Sequence, residues 1–95
     1  MSVEVIHTSL EGAEKIFSSD EMYRLGIEAS IPGADEKADL ITAHKWFNLA
    51  ALQGNELAKE YRQQLTLEMS PREIAEAQRQ ARQWLASRKP ILTAA

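Results

Sequence analysis

The side chains that most often carry out acid–base or metal chemistry are few in this sequence and lie far apart. The two histidines, His7 and His44, lack the spacing of a metal-binding motif. Adjacent carboxylates occur at 20–21, a predicted helix start, and at 35–36, a predicted turn. The first pair complements the positive end of the helix dipole, and the second pair is explained by solvation of the turn. Because the chain also lacks cysteine, a glycine-rich phosphate loop and a nucleophile elbow, we predict no catalytic residue, no metal and no cofactor.

His44 and Asn48 form the one polar pair whose spacing favours a shared role. They are four residues apart, so they lie on one face of a predicted helix. One interpretation is a polar patch that contacts a protein partner. The other is a histidine on an ordinary solvated helix face, and the sequence leaves both open.

Charge is distributed unevenly along the 95 residues, although the net charge is only −3. Residues 1–41 carry nine acids against three bases, and residues 71–95 carry two acids against five bases. Arg72, Arg79 and Arg82 in the second segment could dock an acidic partner, or they could simply solvate a helix. The pI of about 5.3 argues against general binding of nucleic acid, which requires a basic surface.

Composition bounds the class of protein further. The length is that of one small domain, where the core is of limited size. No stretch approaches the ~18 consecutive apolar residues of a membrane span, so we predict no membrane partner. The absence of cysteine and of a signal-peptide pattern fits a cytoplasmic protein.

Start and stop signals predict an all-α fold with helices at about residues 18–30, 39–53, 55–68 and 70–86. Ser18, Asp39 and Ser70 are good N-cap residues, and Ser70 has the capping-box partner Glu73. Gly54 permits the left-handed conformation that ends a helix.

These signals also divide the chain. Residues 1–17 form a short N-terminal extension, with a short capping helix as one interpretation. Residues 18–86 form the helical domain. Residues 87–95 are predicted to be a flexible tail, because Pro90 disfavours continuation of the last helix.

Apolar spacing indicates how the helices pack. In 39–53 the apolar residues cover more than half of the circumference, so this helix is predicted to pack on two sides. The helix 55–68 is predicted to carry one row of residues on one side, with Ala58 and Met69 flanking it; the row is Leu57, Tyr61, Gln64, Leu65 and Glu68. The helix 70–86 has a single compact apolar stripe, as expected of a terminal helix.

An internal repeat with an offset of 38 residues relates the two halves of the domain. It aligns Tyr23-Arg24 with Tyr61-Arg62, Trp46 with Trp84, and Phe47 with Leu85. Periods of this size are typical of stacked helix pairs. The tryptophans are therefore predicted to be core residues rather than ligand contacts.

The first half of this repeat has a more specific pattern of small and aromatic residues: Leu25, Gly26, Gly33, Asp39, Ala43, Trp46, Phe47, Ala50, Ala51 and Gly54. It resembles a Sel1-like repeat, a relative of the tetratricopeptide repeat, and the stretch 43–51 resembles short bacterial proteins of this kind. The resemblance covers about residues 20–86. It implies a short right-handed solenoid of two antiparallel helix pairs, in which Gly26 lets two helices approach closely.

The resemblance also implies a function, since such repeats generally serve as scaffolds for protein–protein interaction. It places Tyr23, Arg24 and Ile27 on the concave side, where a partner protein would bind. Two alternatives remain. The chain could self-associate, because repeat stacks usually contain at least three units, or its acidic half could inhibit an enzyme by occupying a basic cleft.

Overall fold

The computed structural model describes residues 18–33 and 36–94, with side chains up to residue 87. This part of the chain is all-α, as predicted, and contains no strand. The helices in chain order are α1 (Ser19–Ser30), α2 (Leu40–Leu52), α3 (Glu56–Glu68) and α4 (Pro71–Ala94). The predictions for the extension at 1–17 lie outside the described residues.

Each helix begins where a side chain accepts a hydrogen bond from a backbone N–H of the first turn, which would otherwise lack a partner. The accepting residues are Ser18, Asp39, Asn55 and Ser70. At α4 the Glu73 carboxylate also accepts a bond of 2.9 Å from the Ser70 backbone N–H, which completes the predicted capping box. Local sequence signals therefore set the starts of the helices.

The turn between α2 and α3 depends on Gly54. Its φ angle is 97°, a left-handed conformation that glycine adopts without the steric cost of a β-carbon. The N–H groups of Gly54 and Asn55 donate to the carbonyls of Ala51 and Ala50 at 3.0 and 3.1 Å. The predicted stop is confirmed, and the chain reverses within a few residues to begin α3.

Helix α2 lies at the centre of the packing and contacts α1, α3 and α4. This confirms the prediction from its broad apolar arc. By contrast, the backbones of α3 and α4 hardly approach each other. The buried apolar side chains are Met22, Ala43, Phe47, Leu49, Ala50, Ala58, Leu65, Met69, Ala77 and Ala81.

Gly26 and Phe47 form the closest contact between α1 and α2. Phe47 is fully buried, and a β-carbon placed on Gly26 would lie 2.5 Å from the Phe47 ring atoms Cδ1 and Cε1. No real β-carbon sits that close to a neighbouring carbon, so only glycine fits here without a shift of the ring or of the helix. The expected close approach at Gly26 is present.

Residues that are 38 positions apart in the sequence meet in space. The ring centroids of Trp46 and Trp84 are 6.0 Å apart in an edge-to-face arrangement, and those of Tyr23 and Tyr61 are also 6.0 Å apart. Both tryptophans are partly buried against the core. The repeat thus relates residues that pack against one another.

The buried side of α3 is centred on the two residues predicted to flank its row, Ala58 and Met69, and not on the row itself. Leu57 is 54% exposed, while the adjacent Ala58 is fully buried together with Leu65 and Met69. The physical reason is that α3 is covered mainly by α2. A single neighbouring helix hides only a narrow stripe, so a leucine about 100° around the helix from that stripe stays in solvent.

Helix α4 continues through Pro90 to Ala94, whereas the sequence predicted that it ends near residue 86. A proline removes one backbone donor, and the carbonyl of Ala86 therefore loses its helical hydrogen bond. The residues on both sides of Pro90 nevertheless keep helical geometry. No helix in the described part of the chain is both long enough and apolar enough to cross a membrane.

Candidate functional site

Three aromatic side chains from three helices form a cluster that opens to solvent. The Phe47 ring stacks on Tyr61 with centroids 5.6 Å apart and an angle of 19° between the rings. Tyr23 lies 6.0 Å from each of the other two rings. Phe47 is buried beneath the tyrosines, while Tyr61 is 39% exposed. The cluster therefore presents phenol rings on a rigid apolar base.

The predicted residues of α1 lie beside this cluster. Tyr23, Arg24 and Ile27, together with Asp20, line a cavity of about 440 Å³. The structure brings Tyr23, Arg24 and Ile27 together, as their helical spacing requires. Asp20 was not predicted as part of the site, although its position three residues before Tyr23 puts it on the same side of α1.

Helix α3 extends the same surface on the far side of the tyrosines. Leu57 precedes Tyr61 by one helical turn, and both are exposed. The sequence predicted Leu57 and Tyr61 on one side of this helix, and because both are exposed, Leu57 becomes part of the surface. We call the surface formed by Asp20, Tyr23, Ile27, Leu57 and Tyr61 the α1–α3 face.

The Tyr23 phenol stays protonated at physiological pH. Burial raises the pKa of the Tyr23 phenol above its usual value near 10, and the neighbouring Tyr61 hydroxyl adds to the rise. A neutral phenol can donate and accept hydrogen bonds, and its ring offers an apolar surface. Such side chains are suited to recognition of another molecule.

His44 and Asn48 lie at the contact between α2 and α3 instead of on an open surface. His44 is only 2% exposed, so the interpretation as a histidine on a solvated helix face is wrong. Its Nε2 atom is 3.5 Å from the Thr66 hydroxyl, and Asn48 Oδ1 accepts a bond of 2.6 Å from Arg62. Helix α3 covers this side of α2, which the sequence of α2 alone does not reveal. The pair joins two helices.

The His44 ring is held neutral by its surroundings. Burial lowers the pKa of the imidazole, and the positive charge of Arg62 lowers it further. Nδ1 is buried and has no hydrogen-bond partner in the structure. A proton added to this ring would place a second positive charge beside Arg62 in a desolvated contact.

We therefore expect the free energy of unfolding to decrease as the pH falls through the ordinary histidine pKa of about 6.5. The folded-state pKa of His44 lies below that of the unfolded chain, so the unfolded chain binds more protons and acid favours it. Urea unfolding at about pH 7.5 and about pH 5.5 measures the change. In a His44→Gln variant the decrease should be smaller. Equal decreases in the wild type and in His44→Gln would contradict this.

The three arginines predicted as a docking patch lie on α4, away from the α1–α3 face. Arg79 is paired with Glu76, with Nε to Oε1 at 2.9 Å and Nη2 to Oε2 at 2.5 Å. The hydrogen bonds from Arg79 and Gln80 lower the pKa of Glu76 to about 2. Its contribution to stability is therefore lost only as the pH falls below the usual glutamate range. Arg72 and Arg82 are exposed.

A second cavity, of about 590 Å³, lies between the segment before α2 and the first turn of α4. This cavity could not be predicted from the sequence, because it brings together residues that are far apart in the chain. Its lining residues are Glu36, Lys37, Ala38, Asp39, Leu40, Ile41 and Glu73. Charged groups of both signs line it, and no aromatic side chain does so within the described residues.

Fold and surface together define a small helical protein with an exposed aromatic face. Comparison with protein-family models, with curated proteins and with solved structures finds no match. The resemblance to Sel1-like repeats therefore depends on the motif residues alone.

Proposed function

We propose that this protein is an interaction scaffold without catalytic activity, which binds a segment of another protein on its α1–α3 face. The observation that carries the proposal is a pair of tyrosine rings, tilted against each other above the buried Phe47 ring: Tyr23 lines the surface cavity and Tyr61 is exposed. Tyrosine is enriched where proteins bind each other, because a rigid ring contributes contact area at a small cost in side-chain entropy.

We also propose that the fold is a short Sel1-like solenoid of two antiparallel helix pairs. The pairing of Tyr23 with Tyr61 and of Trp46 with Trp84 supports this, since residues at equivalent positions of stacked units lie next to each other. Leu85, the counterpart of buried Phe47, is 38% exposed. That difference follows because, within the described residues, no helix after α4 packs on Leu85.

Substitutions on the α1–α3 face test the binding proposal. We expect Ile27→Ser and Leu57→Ser to abolish capture of the partner from a lysate of the source cells, because each removes an apolar contact from the face. Leu57 is exposed, whereas Ile27 also packs partly against the core, so the Ile27 variant counts only if it is folded. The measurement is affinity capture with the purified full chain, followed by mass spectrometry of the retained proteins.

The matched control is Leu67→Ser. Leu67 is 88% exposed on the same helix but lies about 120° around the axis from Tyr61, off the α1–α3 face. This variant should retain the partner. Retention by all three variants, or equal loss in the control, would show that the α1–α3 face is not the binding site. Circular dichroism establishes that each variant is folded.

A further inference from the structure

We infer that the partner segment on the α1–α3 face is basic, with an apolar or aromatic side chain between flanking lysines or arginines. This inference rests on the proposed function and adds the chemistry of the partner. It follows from the charges that border the face, from their spacing, and from the type of ring exposed between them.

Carboxylates border the face on both helices. Asp20 lines the cavity on α1. On α3, Gln64 and Glu68 continue the row that Leu57 and Tyr61 begin, at helical spacings of three and four, and both are exposed. A ligand on the face therefore meets negative charge at both ends.

The basic group beside the face is already paired. Arg24 also lines the cavity, but its Nη1 atom lies 3.1 Å from Glu21 Oε1. The positive charge of Arg24 is therefore offset by the neighbouring Glu21 carboxylate. Within the described residues, the charged groups that border the rings without an ion-pair partner are carboxylates. The face would therefore repel an acidic ligand.

The tyrosine rings of the face also favour a ligand with basic and apolar side chains. The face of an aromatic ring attracts a lysine or arginine cation, and the apolar body of the ring packs against an aliphatic or aromatic side chain. Tyr23 and Tyr61, with Ile27 and Leu57 beside them, offer both contacts in one place. A segment that alternates basic and apolar residues matches this surface.

Spacing limits the length of the segment. At a rise of 1.5 Å per residue, Asp20 and Ile27 are separated by about 10 Å along α1, and Leu57 and Glu68 by about 16 Å along α3. An extended strand advances about 3.3 Å per residue, so roughly three to five residues cover the face. The two flanking basic side chains of the segment should therefore be separated by roughly three to five residues.

Synthetic peptides test this with the full chain in solution. The probe is the amidated, fluorescently labelled peptide KAKFLKAK, compared with a peptide in which glutamate replaces every lysine and with one in which serine replaces the phenylalanine and leucine. We expect the first to bind at least about tenfold more tightly than either of the others by fluorescence anisotropy, and its affinity to fall as salt rises from about 50 to about 500 mM.

Charge reversal locates the contact. The double substitution of Asp20→Lys with Glu68→Lys should weaken binding of KAKFLKAK by at least about tenfold, whereas Leu67→Ser should leave it unchanged. Neither Asp20 nor Glu68 is in the core, and circular dichroism verifies the fold of each variant. Equal binding of the acidic peptide, no binding of any peptide, or an unchanged affinity after charge reversal would overturn the inference.

Two outcomes separate this inference from the proposed function. If the acidic or the serine peptide binds best and Leu57→Ser abolishes that binding, the face is a docking site but its partner is not a basic apolar segment. If light scattering shows a mass that increases with protein concentration, and charge reversal at Arg79 and Arg82 prevents it, the ligand is α4 of a second copy. That result would overturn the inference of a separate basic partner.

Discussion

Replacing Phe47 with alanine is expected to lower the free energy of unfolding by about 3–5 kcal/mol, the usual cost of removing a buried aromatic side chain. Phe47 is fully buried and contacts elements on two sides: Gly26 and Tyr23 of α1, and Tyr61 of α3. Alanine would lose these contacts and leave a cavity. Because small domains are stable by only about 5–15 kcal/mol, a large part of the stability would be lost.

Urea unfolding followed by far-ultraviolet circular dichroism measures this effect. Leu67→Ala is the control, since Leu67 is almost entirely in solvent and its truncation should change stability by less than about 0.5 kcal/mol. A cost below about 1 kcal/mol at Phe47 would mean that the ring is not the centre of the core.

The second large effect is expected at Gly26, where alanine should destabilise the protein even though alanine is the better helix former. In an exposed helix this change is favourable by about 1 kcal/mol. Here the new β-carbon would lie 2.5 Å from the Phe47 ring, and overpacking of this kind costs about 1–3 kcal/mol or more. We expect the overpacking to dominate, because the ring is fully buried and has little room to move.

A double-mutant cycle identifies the cause. Gly26→Ala should cost less in a Phe47→Leu background than in the wild type, because leucine has no ring atoms at the point of contact. Gly33→Ala serves as the control. Its β-carbon would meet no atom closer than 3.8 Å, so stability should hardly change. An identical cost of Gly26→Ala in both backgrounds would exclude the clash with Phe47 as its origin.

Local signals in the sequence predicted the starts of the helices well. Ser18, Asp39 and Ser70 act as N-caps, and Gly54 ends α2, because each depends on hydrogen bonds or dihedral angles within one turn. The continuation of α4 through Pro90 was not predicted, since the preference of proline to end a helix is a tendency with exceptions.

Packing between helices was harder to predict, as His44 and Leu57 illustrate. Apolar spacing indicates the direction in which a side chain leaves its own helix, but it does not show where the next helix lies. The polar arc of α2 is covered by α3, which buries His44. Leu57 of α3 stays exposed because α2 is the main helix that packs on α3, and it covers only a narrow stripe of that helix.

The candidate site was predicted in part. Tyr23, Arg24 and Ile27 share a helix face by their spacing alone, so any helical fold brings them together. Their meeting with Tyr61 could have been inferred from the offset of 38, since equivalent residues of stacked units lie side by side. The contribution of Asp20 needed the structure, because an acidic residue in the first turn of a helix is already explained by the helix dipole.

The central place of α2 has a consequence for how such a chain can change in evolution. Because α1, α3 and α4 all pack on α2 while α3 and α4 hardly contact each other, the second helix pair has little interior of its own. Long repeat arrays are modular, and whole units can be duplicated or deleted with modest effect. In this chain the two halves share one core helix, so neither half is an independent module. The domain is expected to be gained, lost or unfolded as a whole.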